Sequence, residues 1–118
     1  SGFNASWAPH ASLYVLAFAD KQRADGTEID RHASYFNNAL ATSQLVFEAE
    51  AMGLKAHYMG GVLHDEILKQ VRVDDAWLTC VITIGAQGDA SNVSEELQQR
   101  EAAPRERKPL DQILISHS

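Results

Sequence analysis

Apolar and polar positions keep different periods along this chain, and the places where the period changes divide it into elements. Leu13 to Phe18, LYVLAF, runs without a strongly polar interruption, which predicts a strand covered on both faces. DKQRADGTE follows as a surface loop, with Asp25 and Gly26 offering a turn. Asp30 suits the N-cap of a long helix. From Ala33 to Met52 there is neither glycine nor proline, and apolar residues recur at helical spacing at Phe36, Ala39, Leu40, Val46 and Phe47. Gly53 and then Leu54 predict the stop, a left-handed residue followed by an apolar one that folds back.

The second half repeats the alternation in shorter pieces. KAHYM predicts a short strand ending at Gly60 and Gly61, and HDEILKQV a short helix with acids in its first turn, where they suit the helix dipole. WLTCVITIG is the clearest strand, with Leu78, Cys80, Ile82 and Ile84 predicted on one face and Thr79, Val81 and Thr83 on the other. AQGDASN reads as loop. Asn92 with Glu95 predicts a capping box for VSEELQQREAA, which Pro104 ends. Strand, long helix, strand, short helix, strand, polar helix and tail predict an α/β (α+β) protein, a mixed sheet flanked by helices, in a single domain over residues 1–118.

The long helix is apolar on more than one side. Opposite the first row lie Ala41, Leu45, Ala49 and Met52, and the only charges between Ala33 and Gly53 are Glu48 and Glu50. Such a helix is buried on several sides. Its large apolar residues are each worth roughly 1.5 to 3 kcal/mol on burial, more together than so short a chain is expected to supply partners for. A second subunit is the simplest cover.

The 118 residues are 45% hydrophobic and 22% charged, as in soluble globular domains, and no apolar run approaches the length that spans a membrane. No secretory leader pattern opens the chain, so a cytoplasmic protein is expected. The net charge of -6 argues against nucleic acid as main partner. Among candidate chemistries, His57, His64, Asp65 and Glu66 match no zinc spacing, so no metal is expected. Cys80 lies among apolar strand residues and reads as an inert thiol. There is no nucleophile elbow, P-loop or dinucleotide glycine motif.

Two features stand out. MGGV puts Gly60 and Gly61 directly after a strand; the pair is either an ordinary turn or a place where backbone approaches a flat ligand without side chains in the way. In RERKPL, Arg105, Arg107 and Lys108 crowd together in an acidic chain. They are either a solvated charge run or, if the segment is extended, Arg105 and Arg107 form a two-pronged clamp for a phosphate.

These stretches together resemble the FMN-dependent nitroreductases. NASWAPHASLYVLAFA resembles the family's asparagine and tryptophan segment with its following strand; NNALATSQLVFEAEAMGLKAHYMGGV is similar to its central helix, short strand and glycine turn. WLTCVITIGAQG resembles its late strand and RERKPLDQIL its basic tail. The resemblance implies a homodimer with the long helix at its interface, and FMN bound there. It further implies that the backbone at Gly60 and Gly61 faces the reactive flavin nitrogen and that Arg105 and Arg107 grip the FMN phosphate. NAD(P)H would reduce the flavin, and a nitroaromatic, quinone or similar small molecule would take the electrons. The family's arginine-rich amino-terminal segment has no counterpart in residues 1 to 12, so an N-terminally truncated domain is expected. Two alternatives stand beside the oxidoreductase: a dimeric, non-catalytic remnant that binds no flavin, and a small domain holding another phosphate-bearing ligand.

Overall fold

A computed structural model describes residues 2–114. The ends of the expected 1–118 domain, residue 1 and residues 115–118, lie outside the described residues. Those described divide into two compact units, one up to Gln87 and one from Gly88 onward.

The first unit is built on β1 (Leu13–Asp20), β2 (Lys55–Met59) and β3 (Ala76–Gly85), with α1 (Arg31–Ala51) and α2 (His64–Gln70) in the connections. The sheet order is β1-β3-β2 and both ladders are antiparallel. β1 and β2 therefore run the same way, joined through α1, while β3 runs back between them: a split β-α-β arrangement. The protein is mixed α/β as expected, and each pairing in its sheet is antiparallel.

β3 is central because its sequence is apolar enough for both faces. Ile82 is wholly buried and makes a core with Ala49 of α1 and Ile84, against which Val15, Val46, Leu54, Ala56 and Cys80 pack. β1 departs from the expected two-sided cover. Its end residues Leu13 and Tyr14 are exposed and burial sets in only towards Ala17 and Ala19.

The expected alternation along β3 also needs correction. Ala17 pairs with Cys80 and Phe18 with Leu78, so the ladder skips Thr79. This β-bulge shifts the pleat by one residue. Thr79 and Trp77 consequently reach α1, Thr79 through Asn38 and Trp77 through an edge-on contact with Tyr35, on the side that Ile82 and Ile84 take further along.

α1 starts and stops where the sequence places it. The Asp30 carboxylate accepts from the Ala33 N–H at 2.9 Å. At the other end the Leu54 N–H donates to the Ala49 carbonyl at 2.9 Å and the Gly53 N–H to Glu50 at 3.0 Å, with Gly53 at φ +80°, a complete Schellman closure. The face laid on the sheet is not the bulky apolar one. Ser34, Thr42 and Ala49 are the buried residues of α1, with Asn38 half-buried between them. The Ser34 hydroxyl donates to the Asp20 carbonyl at 2.8 Å and the Asn38 amide to the Phe18 carbonyl at 2.7 Å, so small side chains let the helix approach while satisfying strand carbonyls. Phe36, Leu40, Leu45, Phe47 and Met52 stay exposed, Phe47 by 75%.

The second unit carries α3 (Glu95–Ala102) between two 3-10 turns, Ala90–Asn92 and Leu110–Gln112. Its cap is Ser94, whose hydroxyl accepts from the Leu97 N–H at 3.4 Å, rather than Asn92. Asn92 is drawn into the preceding turn, which Asp89 caps by accepting from the Ser91 N–H at 2.9 Å. Ser94 directly precedes Glu95 and Glu96, which favour the helix dipole. α3 ends as expected before Pro104, with Ala103 extended. Among the described residues no helix is long and apolar enough to cross a membrane.

Candidate functional site

Gly60 and Gly61 follow the last residue of β2, where the chain leaves the sheet and turns towards α2. Both are exposed, and a Cβ placed on Gly60 would meet nothing within 4 Å. Gly61 adopts φ +63°, a conformation that side-chain-bearing residues reach only under strain. The two glycines thus differ. Gly61 is required by the turn; Gly60 is required by no neighbour in its own unit and leaves a bare stretch of backbone open to solvent.

The amino-terminal segment is fastened onto this bend. Asn4, in a 3-10 turn spanning Gly2–Ser6, donates its side-chain amide to the Gly60 carbonyl at 2.6 Å. The Trp7 ring meets His57 of β2 edge-on, with centroids 5.1 Å apart and planes at 89°. Ala8 is buried, and its carbonyl accepts from the Tyr14 hydroxyl of β1. Asn4 and Trp7 were not assigned a role from sequence. Their contacts join residues some fifty positions apart, and their only signal there is the resemblance of the NASW segment.

In the second unit, residues 104–109 have no regular secondary structure and their side chains are exposed. Arg107 donates from Nη1 to the neighbouring Glu106 carbonyl at 2.6 Å. Arg105 and Arg107 lie two positions apart on this segment, beyond the end of α3. Of the expected site residues, Gly60 and Gly61 belong to the first unit and Arg105 and Arg107 to the second.

Other groups carry less. His57 is engaged with Trp7, and among the described residues no group of three or more His, Cys, Asp or Glu is arranged to hold a metal. Cys80 is half-buried, with the Thr79 hydroxyl 3.9 Å from its sulfur. A shallow groove between β1 and α1, lined by Phe18, Asp20, Ile29, Ser34, Asn37 and Asn38, is a packing seam, since Ser34 and Asn38 already spend their donors on β1 carbonyls. Two exposed carboxyls are held below the usual range: Asp25 by the Thr27 hydroxyl and then its N–H, and Asp89 by the Ser91 N–H and then its hydroxyl. Both are turn-forming acids.

The family model described as the nitroreductase family matches residues 2–86. A Mycolicibacterium smegmatis protein described as "Uncharacterized 15.4 kDa protein in ask 5'region" is 32% identical over 111 residues, covering 94% of this chain and 74% of that protein. The crystal structure of an oxidoreductase containing FMN superimposes with a TM-score of 0.86 at 25% identity, over 99% of this chain and 60% of that one. A nitroreductase family protein from Clostridium difficile 630 shares the fold, with a TM-score of 0.63 at 20% identity, over 92% of this chain and 61% of its own. The chain thus spans about three fifths of the length of these two solved structures. With the family match running from the Asn4 segment through the diglycine bend to the end of β3, the chain belongs to the nitroreductase family.

Proposed function

We propose that this chain works in an FMN-dependent oxidoreductase that takes reducing equivalents from NAD(P)H and passes them to a nitroaromatic, quinone or similar acceptor. The observation that carries the reading is the bend at Gly60, where nothing lies within 4 Å of the position a Cβ would take. Open backbone at a strand end fits the edge of a planar ring system, and the similar fold of an oxidoreductase containing FMN supports the choice of ring.

Gly60 and Gly61 would lie against the isoalloxazine, and Arg105 and Arg107 would hold the phosphate by charge-assisted bonds. When bound, FMN supplies the redox chemistry, accepting hydride from the nicotinamide and handing electrons to the acceptor. The protein's part is to bind and orient. The exposed guanidinium groups provide charge for an anion, and the bare glycine backbone leaves a face over which a substrate ring can stack.

A homodimer belongs to this reading. Phe36, Phe47 and Met52 are exposed by 64%, 75% and 69% within the chain, and a second copy would cover them. The test is a titration of the purified chain with FMN followed by addition of NADH or NADPH. A yellow, saturable complex whose flavin absorbance bleaches on nicotinamide addition supports the reading. A chain that retains no flavin after unbound FMN is removed, and causes no saturable change in FMN fluorescence, overturns it in favour of the non-catalytic remnant.

A further inference from the structure

We infer that Asn4 is a positioning residue for the flavin-facing bend, holding the Gly60–Gly61 peptide in the orientation that receives FMN. This rests on the function proposed above. Two consecutive glycines have no Cβ to restrict them, and the peptide between them is the easiest in the turn to flip. Its oxygen is caught by the Asn4 amide at 2.6 Å. Among the described residues there are no cis peptide bonds, so fixing the carbonyl fixes the plane of the whole unit.

Asn4 is itself held through Trp7. The Asn4 carbonyl accepts from the Trp7 N–H at 3.3 Å, and Trp7 is anchored edge-on against His57, three residues ahead of Gly60 on β2. The segment from Asn4 to Trp7 therefore bridges the body of β2 and the bend beyond it. Gly61 needs φ +63° for this turn, a value glycine holds no more firmly than its mirror image unless something else selects it. The Asn4 bond, made at the carbonyl just before Gly61, contributes to that selection. In a chain with no lysine or arginine between residues 2 and 12, the contribution of this segment to the flavin is made through the shape of a peptide rather than through charge.

The experiment compares wild type, Asn4→Ala and Asn4→Gln, the last retaining an amide donor, as full chains. Three readouts are taken: thermal melting, the Gly61 amide resonance without flavin, and FMN affinity from fluorescence quenching. The inference expects one sharp Gly61 resonance in wild type and a broadened or doubled one in Asn4→Ala. It also expects FMN affinity to fall about tenfold, as for the loss of one hydrogen bond, with melting little changed and Asn4→Gln recovering part of both effects. Wild-type-like FMN affinity together with an unchanged Gly61 resonance in Asn4→Ala would overturn the inference while leaving the proposed function standing. Absence of FMN binding by wild type overturns the proposed function and the flavin role of Asn4 with it. The Gly61 resonance in the flavin-free chain then still decides whether Asn4 holds the peptide.

Discussion

Thr79, the residue of β3 that the ladder to β1 skips, places its hydroxyl 2.7 Å from Oδ1 of Asn38 on α1 and 3.0 Å from the Ala17 carbonyl. The Asn38 amide nitrogen in turn donates to the Phe18 carbonyl at 2.7 Å. One asparagine thus joins the helix to both strands at the bulge. Asn38→Ala removes the side-chain donor to the Phe18 carbonyl and leaves the Thr79 hydroxyl with the Ala17 carbonyl alone, in a half-buried seam, and should cost about 1 to 3 kcal/mol in urea unfolding. Because the two side chains share a bond, Asn38→Ala and Thr79→Val should be non-additive by about 0.5 kcal/mol or more in a double-mutant cycle. Additive losses would show that the contact carries no energy of its own.

Two glycines give a contrast between folding and binding. Gly53 sits at φ +80° in the closure of α1, so Gly53→Ala should lower stability by about 1 to 2 kcal/mol, the cost of a left-handed residue with a Cβ. Gly60 meets no such strain and has open space around it, so Gly60→Ala should leave the melting temperature near that of wild type. The same methyl group would stand where the ring is proposed to lie, and FMN affinity should drop. A Gly60→Ala chain that unfolds as readily as Gly53→Ala would mean that Gly60 serves the turn alone.

Element order was legible in the sequence because local chemistry sets it. Asp30 caps α1, Gly53 and Leu54 close it, and the apolar run of β3 fills the centre of the sheet. What local pattern left open was orientation. Hydrophobicity put Phe36, Leu40 and Phe47 at helical spacing on a helix apolar on several sides without choosing the side that meets the sheet; Ser34, Asn38 and Thr42 took it, and the short polar side chains of Ser34 and Asn38 satisfy the Asp20 and Phe18 carbonyls at close approach. The bulge at Thr79 has no sequence signature, as a threonine fits either strand face. At the candidate site, the glycine pair was visible as a motif, whereas the Asn4 bond depends on a contact 56 positions apart.

The exposed side of α1 predicts self-association. Phe47 is 75% exposed within the chain, so Phe47→Asp should leave the fold intact. If a second copy covers it, two such side chains are lost per dimer at roughly 1.5 to 3 kcal/mol each, and the dissociation constant should rise at least about a hundredfold. Sedimentation equilibrium of wild type and variant reads this directly. A monomeric wild type at all accessible concentrations would contradict the dimer.

The turn at Asp25 predicts a pH dependence of defined sign. Its carboxyl is held below the usual range by the Thr27 hydroxyl, at 2.5 Å, and by the Thr27 N–H, at 2.9 Å. The folded pKa lies below the unfolded one, so the stabilisation is complete above the ordinary carboxylate range and is lost as pH falls through the lowered value. Thr27→Val should move the Asp25 midpoint up towards the ordinary value in an NMR titration of the side-chain carboxyl. At Asp89 the Ser91 N–H is the larger cause, so Ser91→Ala should move that midpoint less. Equal shifts at the two sites would contradict this ordering.

The proposed function requires that the diglycine bend and the arginine pair serve one flavin nucleotide. The direct measurement is a titration of isotope-labelled chain with FMN and, separately, with riboflavin, reading the amide resonances of Gly60 and Gly61 and the guanidinium resonances of Arg105 and Arg107. The account predicts that FMN moves all four along one saturation curve. Riboflavin, lacking the phosphate, should move the glycines alone, and Arg105→Ala with Arg107→Ala should lower FMN affinity to that of riboflavin. Glycine and arginine resonances that saturate at different FMN concentrations, or do not move at all, would contradict it.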